Sequence, residues 1–207
     1  MFADSLSSRD GLGETSPYRG LIYRVFQPRS DALRGAAIAV TSPHYGAGTS
    51  YVVRSLAAEL ASYAGNRILQ VDLATLAGTL RNQEELIECI SQTSVEGIFE
   101  IAYRTINGTG PATYWHANID HRRACIDTLR QQFQYVIFDC PAVLESGETL
   151  GIAPLIDGIF LVIESDKTTR DEVAETERQI ESGGGRIYGT ILNKQKTGRS
   201  RWTQRKG

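Results

Sequence analysis

The chain has 207 residues, 41% of them hydrophobic and 22% charged, with a net charge of −2. That apolar share can fill a globular core, and the near-neutral balance gives no electrostatic case for nucleic acid as a partner. No apolar stretch approaches the roughly 20 residues needed to cross a bilayer. The start, Met1-Phe2-Ala3-Asp4-Ser5, has no basic region leading into an apolar one, so no secretory signal is expected. Cys89, Cys125 and Cys140 are far apart and lack metal-ligand spacing, which predicts reduced thiols in a cytoplasmic protein.

Residues 1–17, rich in Ser, Gly and Asp, read as a flexible N-terminal segment. Tyr18–Phe26 fits a short helix. Ala36–Thr41 is an apolar run with the character of a buried strand. From Ser50 to Tyr63, Val52, Val53, Leu56, Ala57, Leu60 and Ala61 recur at helical spacing, and Gly65-Asn66 ends the pattern. Ile68–Val71 predicts a second strand ending at Asp72, Gln83–Ile90 a helix, and Gly97–Ala102 a strand. Asn107–Asn118 reads as loop, and Asp120 as the cap of a helix running to about Phe133. Tyr135–Phe138 predicts a strand ending at Asp139, and Gly158–Ile163 another. A helix from about Thr168 to Ser182 is broken by Gly183-Gly184-Gly185, and Arg186–Leu192 is the last strand. Strands alternating with helices predict an α/β fold whose mostly parallel central sheet carries helices on both faces.

Between the first strand and the first long helix lies Thr41-Ser42-Pro43-His44-Tyr45-Gly46-Ala47-Gly48-Thr49-Ser50. A phosphate-binding loop needs this strand–loop–helix setting, glycines that let backbone N–H groups close on phosphate, and a hydroxyl for Mg²⁺. Gly46, Gly48 and Ser50 supply them. The lysine that reaches the β- and γ-phosphates belongs at position 49, where threonine stands, and the first lysine of the chain is Lys167. The N–H groups of residues 47–50 and the helix dipole still attract phosphate. Arg54, one turn along, would have to fold back to compensate. Ligands of open parallel sheets bind beyond the carboxyl ends of the strands, so Asp72 and Asp139 are the expected oxygen ligands for Mg²⁺.

Other residues have two readings each. His44 and Tyr45 either cover the loop or stack on a base. Tyr114 and Trp115 either sit quietly in the long loop or meet a partner. Cys140 reads as a small core residue. His116 and His121 have no nucleophile at motif spacing, so no triad is assigned. The tail, residues 194–207, carries Lys194, Lys196, Arg199, Arg201, Arg205 and Lys206 around Trp202. It is either a solvated end or a patch for anionic lipid or an acidic partner.

The span from about Tyr18 to Asn193 resembles the P-loop tyrosine-kinase domain of bacterial exopolysaccharide and capsule synthesis, a relative of the septum-site and plasmid-partition ATPases. The matching pieces are Ile38-Ala39-Val40-Thr41-Ser42 with Gly46-Ala47-Gly48-Thr49-Ser50, and Ile68-Leu69-Gln70-Val71-Asp72. They continue with Phe133-Gln134-Tyr135-Val136-Ile137-Phe138-Asp139-Cys140-Pro141, Gly158-Ile159-Phe160-Leu161-Val162-Ile163, and Gly189-Thr190-Ile191-Leu192-Asn193. The resemblance implies ATP or ADP held by Gly46, Ala47, Gly48, Thr49, Ser50, Tyr51 and Asn193, the last against adenine. It implies Mg²⁺ held by Ser50, Asp72 and Asp139, with Asp72 and Asp139 catalytic. It also implies a membrane-anchored chain-length regulator as partner, possible homo-oligomers, and a cytoplasmic protein recruited to the inner face of the plasma membrane.

Departures from that pattern point to weakened or lost phosphoryl transfer. Besides Thr49, Ala47 replaces a glutamate, Ala74 the second acid of an Asp-x-Asp motif, and Leu76 an arginine. The oligomerisation helix Glu-x-x-Arg-x-x-Arg appears as Ser16, Arg19 and Ile22, and no tyrosine cluster follows Tyr188. Two other functions remain open from the sequence: an active tyrosine autokinase or ATPase that tolerates Thr49, and a positioning factor of the septum-site type.

Overall fold

The computed structural model describes residues 18, 20–22, 35–63, 66–80, 83–101 and 114–195. The expected N-terminal segment, most of the 18–26 helix and of the 107–118 loop, and the tail beyond Gln195 lie outside these residues.

Seven strands form one sheet in the order β3-β4-β2-β5-β1-β6-β7. They are β1 (Ala36–Thr41), β2 (Ile68–Asp72), β3 (Ile90–Gln92), β4 (Ile98–Ile101), β5 (Tyr135–Asp139), β6 (Gly158–Glu164) and β7 (Ile187–Asn193). All neighbours pair in parallel except β3, which runs antiparallel to β4 at one edge. The helices are α1 (Thr49–Ala61), α2 (Leu73–Thr79), α3 (Gln83–Glu88), α4 (Tyr114–Ala117), α5 (Ile119–Gln132), α6 (Glu148–Ile152) and α7 (Arg170–Ser182).

Side chains alternate across a strand with period two, so each strand feeds two cores. In β1, Ile38 and Val40 join Val52, Val53, Leu56, Ala57 and Leu60 of α1, together with Ile22. Ala37 and Ala39 face the other side, where Leu69, Val136 and Phe138 meet Leu73, Leu76, Leu129 and Ile180 from the remaining helices. The strands are apolar on both faces because both faces are covered. This is the predicted P-loop NTPase-like α/β architecture.

Several local expectations change. Asn118, not Asp120, caps α5: its side chain accepts the His121 N–H at 2.9 Å. Part of the expected 107–118 loop is α4, and Trp115 there is 1% exposed within the core, which removes it as a partner-facing residue. Tyr114 stacks on His121 with ring centroids 4.2 Å apart. The sequence pattern also missed α2, α6 and the three-residue edge strand β3. Each is too short to show a period, and α2 is launched by Asp72, whose carboxylate accepts the Thr75 N–H at 2.7 Å. Ile22 is buried against α1, so where the resemblance expects an oligomerising arginine an apolar side chain packs inward.

Candidate phosphate-binding site

The chain leaves β1 at Thr41, whose hydroxyl donates to the Pro141 carbonyl at 2.7 Å, tying the loop's entry to the segment after β5. Ser42 Oγ donates to the His44 carbonyl at 2.7 Å and starts the turn. Gly46 and Gly48 follow with φ of 89° and 96°, a region that side chains rarely enter. These two residues let the backbone turn sharply and deliver it into α1. The opening N–H groups of a helix have no intrahelical acceptor, and Gly48, as N-cap, brings no side chain to satisfy them. They are donors for an anion.

Asp139 ends β5 beside this loop, and Asp72 ends β2 directly opposite it in the sheet register. Burial raises the Asp139 pKa above the ordinary carboxylate value, and the nearby Asp72 charge adds to the rise. The neighbouring Ser50 and Thr49 side chains pull the other way, with Arg54 a smaller influence in that direction. Four residues named from sequence, Thr49, Ser50, Arg54 and Asp72, thus lie near enough to act on a fifth, Asp139. Arg54 acts on the carboxylate from an exposed position.

A hydroxyl and two carboxylates are hard oxygen donors of the kind that hold Mg²⁺ arriving with phosphate, which uses one or two carboxylates rather than a full protein cage. Among the described residues no group of three or more His, Cys, Asp or Glu is arranged as a metal cage. The open donor set fits Mg²⁺ carried in by nucleotide. Cys140, directly after Asp139, is fully buried with its thiol pushed well up by burial, in keeping with a core role.

Asn193 and Lys194, at the far end of the chain, also reach the loop. Asn193 Nδ2 donates to the Ala47 carbonyl at 2.8 Å, and a Cβ placed on Gly48 would collide with that amide. Lys194, itself left-handed at φ 58°, donates through Nζ to the Gly46 carbonyl and sits 3.3 Å from Glu164. Tyr51 lies in the first turn of α1 with its side chain 60% exposed.

His44 lies between two carboxylates, Nδ1 at 2.9 Å from Glu145 and Nε2 at 3.1 Å from Glu172. Its pKa rises chiefly through the Glu145 bond. Glu145 also accepts the Tyr45 N–H at 3.2 Å, so the loop's outer turn is held from the segment before α6 and from α7. His44 covers and pins the loop, whereas Tyr45 is 64% exposed. Sequence reasoning missed this clasp and Lys194. For Lys194 a signal was present, since it follows a strand end on the ligand-bearing edge of the sheet.

The glycine loop, the helix opening and the paired acidic strand ends define a P-loop NTPase-like protein. No protein-family profile matches the chain. In sequence it is 27% identical over 174 residues to the tyrosine-protein kinase CpsD of Streptococcus agalactiae, covering 76% of this chain and 74% of that one. It is 25% identical over 171 residues to the putative tyrosine-protein kinase EpsB of Ralstonia solanacearum, covering 75% of this chain and 22% of that longer one. In structure it superposes on the kinase domain of Escherichia coli tyrosine kinase ETK with a TM-score of 0.66 at 19% identity, covering 84% and 71% of the two chains. It also superposes on cobyrinic acid a,c-diamide synthase from Mycobacterium smegmatis with bound ADP and magnesium, TM-score 0.59 at 18% identity, covering 76% and 74%. The chain is similar in sequence to bacterial tyrosine-protein kinases and in fold to their kinase domain, as its motifs implied.

Proposed function

We propose that this chain is a kinase-like regulator of exopolysaccharide or capsule synthesis in which phosphoryl transfer is weakened or lost. It would work at the inner membrane face beside a membrane-anchored chain-length regulator. Residues 18–193 form its P-loop domain, between an N-terminal segment and a basic tail. The observation that carries the reading is Thr49: the position owed to lysine holds a neutral hydroxyl near Asp139 and brings no ammonium to the loop. Transfer depends on positioning and on charge around the phosphates. Losing one preorganised stabiliser of developing charge slows transfer by about 10²–10³-fold. Gly46 to Ser50, Asp72, Asp139 and Asn193 remain suited to Mg²⁺-ADP or Mg²⁺-ATP, with Ser50, Asp72 and Asp139 as the metal ligands.

The test compares the native chain with Thr49→Lys in calorimetric Mg²⁺-ATP binding and in single-turnover hydrolysis and autophosphorylation. The reading expects hydrolysis at least 10²-fold slower in the native chain than in Thr49→Lys. Native turnover equal to that of Thr49→Lys, and lost in Asp139→Asn, would instead make it an active kinase or ATPase.

A further inference from the structure

Position 49 removes a cation from the loop's own sequence, and Lys194 brings one back from the opposite end of the chain. Its Nζ already touches the loop at the Gly46 carbonyl, one residue before the first N–H donor for phosphate. Asn193 holds the next carbonyl, Ala47, so two consecutive residues of β7's end dock on two consecutive residues of the loop. We propose that Lys194 is the phosphate-facing cation of this site, replacing the lysine absent at position 49 and giving it affinity for a nucleoside diphosphate.

Three observations support a lysine able to change partners. Its side chain is 46% exposed, so it can turn toward an arriving anion. Glu164, its present counter-ion, is only 13% exposed and also holds Lys167 at 2.9 Å, so that carboxylate keeps a cation when Lys194 leaves. The left-handed backbone at Lys194 turns the chain at the strand end, and from there the side chain reaches the glycine loop. A lysine at position 49 would reach the β- and γ-phosphates. Lys194 enters instead from the Gly46 side of the loop, where its ammonium can turn to a phosphate held by the loop's N–H groups.

The inference rests on the reading that the loop receives nucleotide phosphate, and its test separates the two. Calorimetry of Mg²⁺-ADP, Mg²⁺-ATP and adenosine would be run on the full chain and on its Lys194→Gln, Lys194→Arg and Thr49→Lys variants. Melting curves would confirm that each variant is folded. Glutamine keeps an N–H for the Gly46 carbonyl but no charge, so it isolates the cation from the strap. The expected result is measurable binding of both Mg²⁺-ADP and Mg²⁺-ATP by the native chain. Lys194→Gln should weaken both by about 10- to 100-fold, the scale of a hydrogen bond to a charged group, and leave adenosine unchanged. Lys194→Arg should retain most of the affinity. Native-like ADP binding in Lys194→Gln, or an equal loss for adenosine, overturns the proposal while leaving the nucleotide site standing. No binding in the native chain with binding gained in Thr49→Lys also overturns it. No binding in any variant overturns both the proposal and the nucleotide reading.

Discussion

Replacing Gly48 by alanine tests how the loop is built. At φ 96° an L-residue is strained, at a cost of about 1–3 kcal/mol. The added methyl also collides with Asn193 Nδ2 and must drive the amide off the Ala47 carbonyl, forfeiting about 1 kcal/mol of hydrogen bonding. The sum, about 3 kcal/mol, corresponds to a fall in Tm of roughly 6–12 °C for a domain of this size. Gly46→Ala is the matched control. It shares the positive φ of 89°, but its Cβ would meet nothing within 4 Å, so it carries the strain without the collision. Urea unfolding followed by circular dichroism should place Gly48→Ala about 1 kcal/mol below Gly46→Ala. Combining Gly48→Ala with Asn193→Ala should cost about 1 kcal/mol less than the two single losses added together, because both remove the same bond. Equal losses at Gly46 and Gly48, or strict additivity with Asn193→Ala, would refute the view that Asn193 is braced against the loop.

Asp139→Asn should stabilise the nucleotide-free protein at neutral pH by about 1 kcal/mol, as relief of a strained functional group commonly does, while abolishing Mg²⁺-dependent binding. The sign follows from the raised folded pKa: the carboxylate's destabilisation is present above that pKa and is relieved as pH falls through it. Unfolding curves should therefore separate native and Asp139→Asn at pH 8 and converge near pH 4. His44, with its pKa raised by Glu145 and Glu172, stabilises the loop fully below about pH 6.5, its unfolded value, and loses that contribution as pH rises through the folded pKa. His44→Gln should flatten this trend in Tm measured between pH 5 and 9, and an unchanged slope would rule the clasp out. Trp115→Ala should cost about 3–5 kcal/mol, as expected for a buried indole. A loss under 1 kcal/mol in urea unfolding would contradict its place in the core.

The parts of the site that were legible in sequence are those coded locally. Glycines at 46 and 48, a hydroxyl at 50 and an acid at the end of an apolar run each carry a short-range signature. The sheet edge then brought Asp72 and Asp139 into register without further instruction. What the sequence concealed was nonlocal or too short to be periodic. His44 is held by carboxylates 101 and 128 residues away, and no spacing rule links them. Lys194 looked like the first charge of a basic tail because its left-handed turn back onto the loop leaves no compositional trace. Trp115 was misjudged because the Gly, Pro and Thr before it suggested open loop, whereas α4 presses its indole into the core. The three residues of β3 are paired only through β4 and are half or fully exposed, so they show neither alternation nor an apolar run.

The docking of Asn193 and Lys194 spans 146 and 148 residues of chain. During synthesis the glycine loop emerges from the ribosome well before its brace, with β1 and α1 available to flank it. Until β7 joins the edge of the sheet, the loop's carbonyls at Gly46 and Ala47 lack these partners. Assembly of a firm phosphate cradle is thereby deferred until β7 has been translated, and a nascent chain stopped before residue 193 would display the loop without the means to hold its shape.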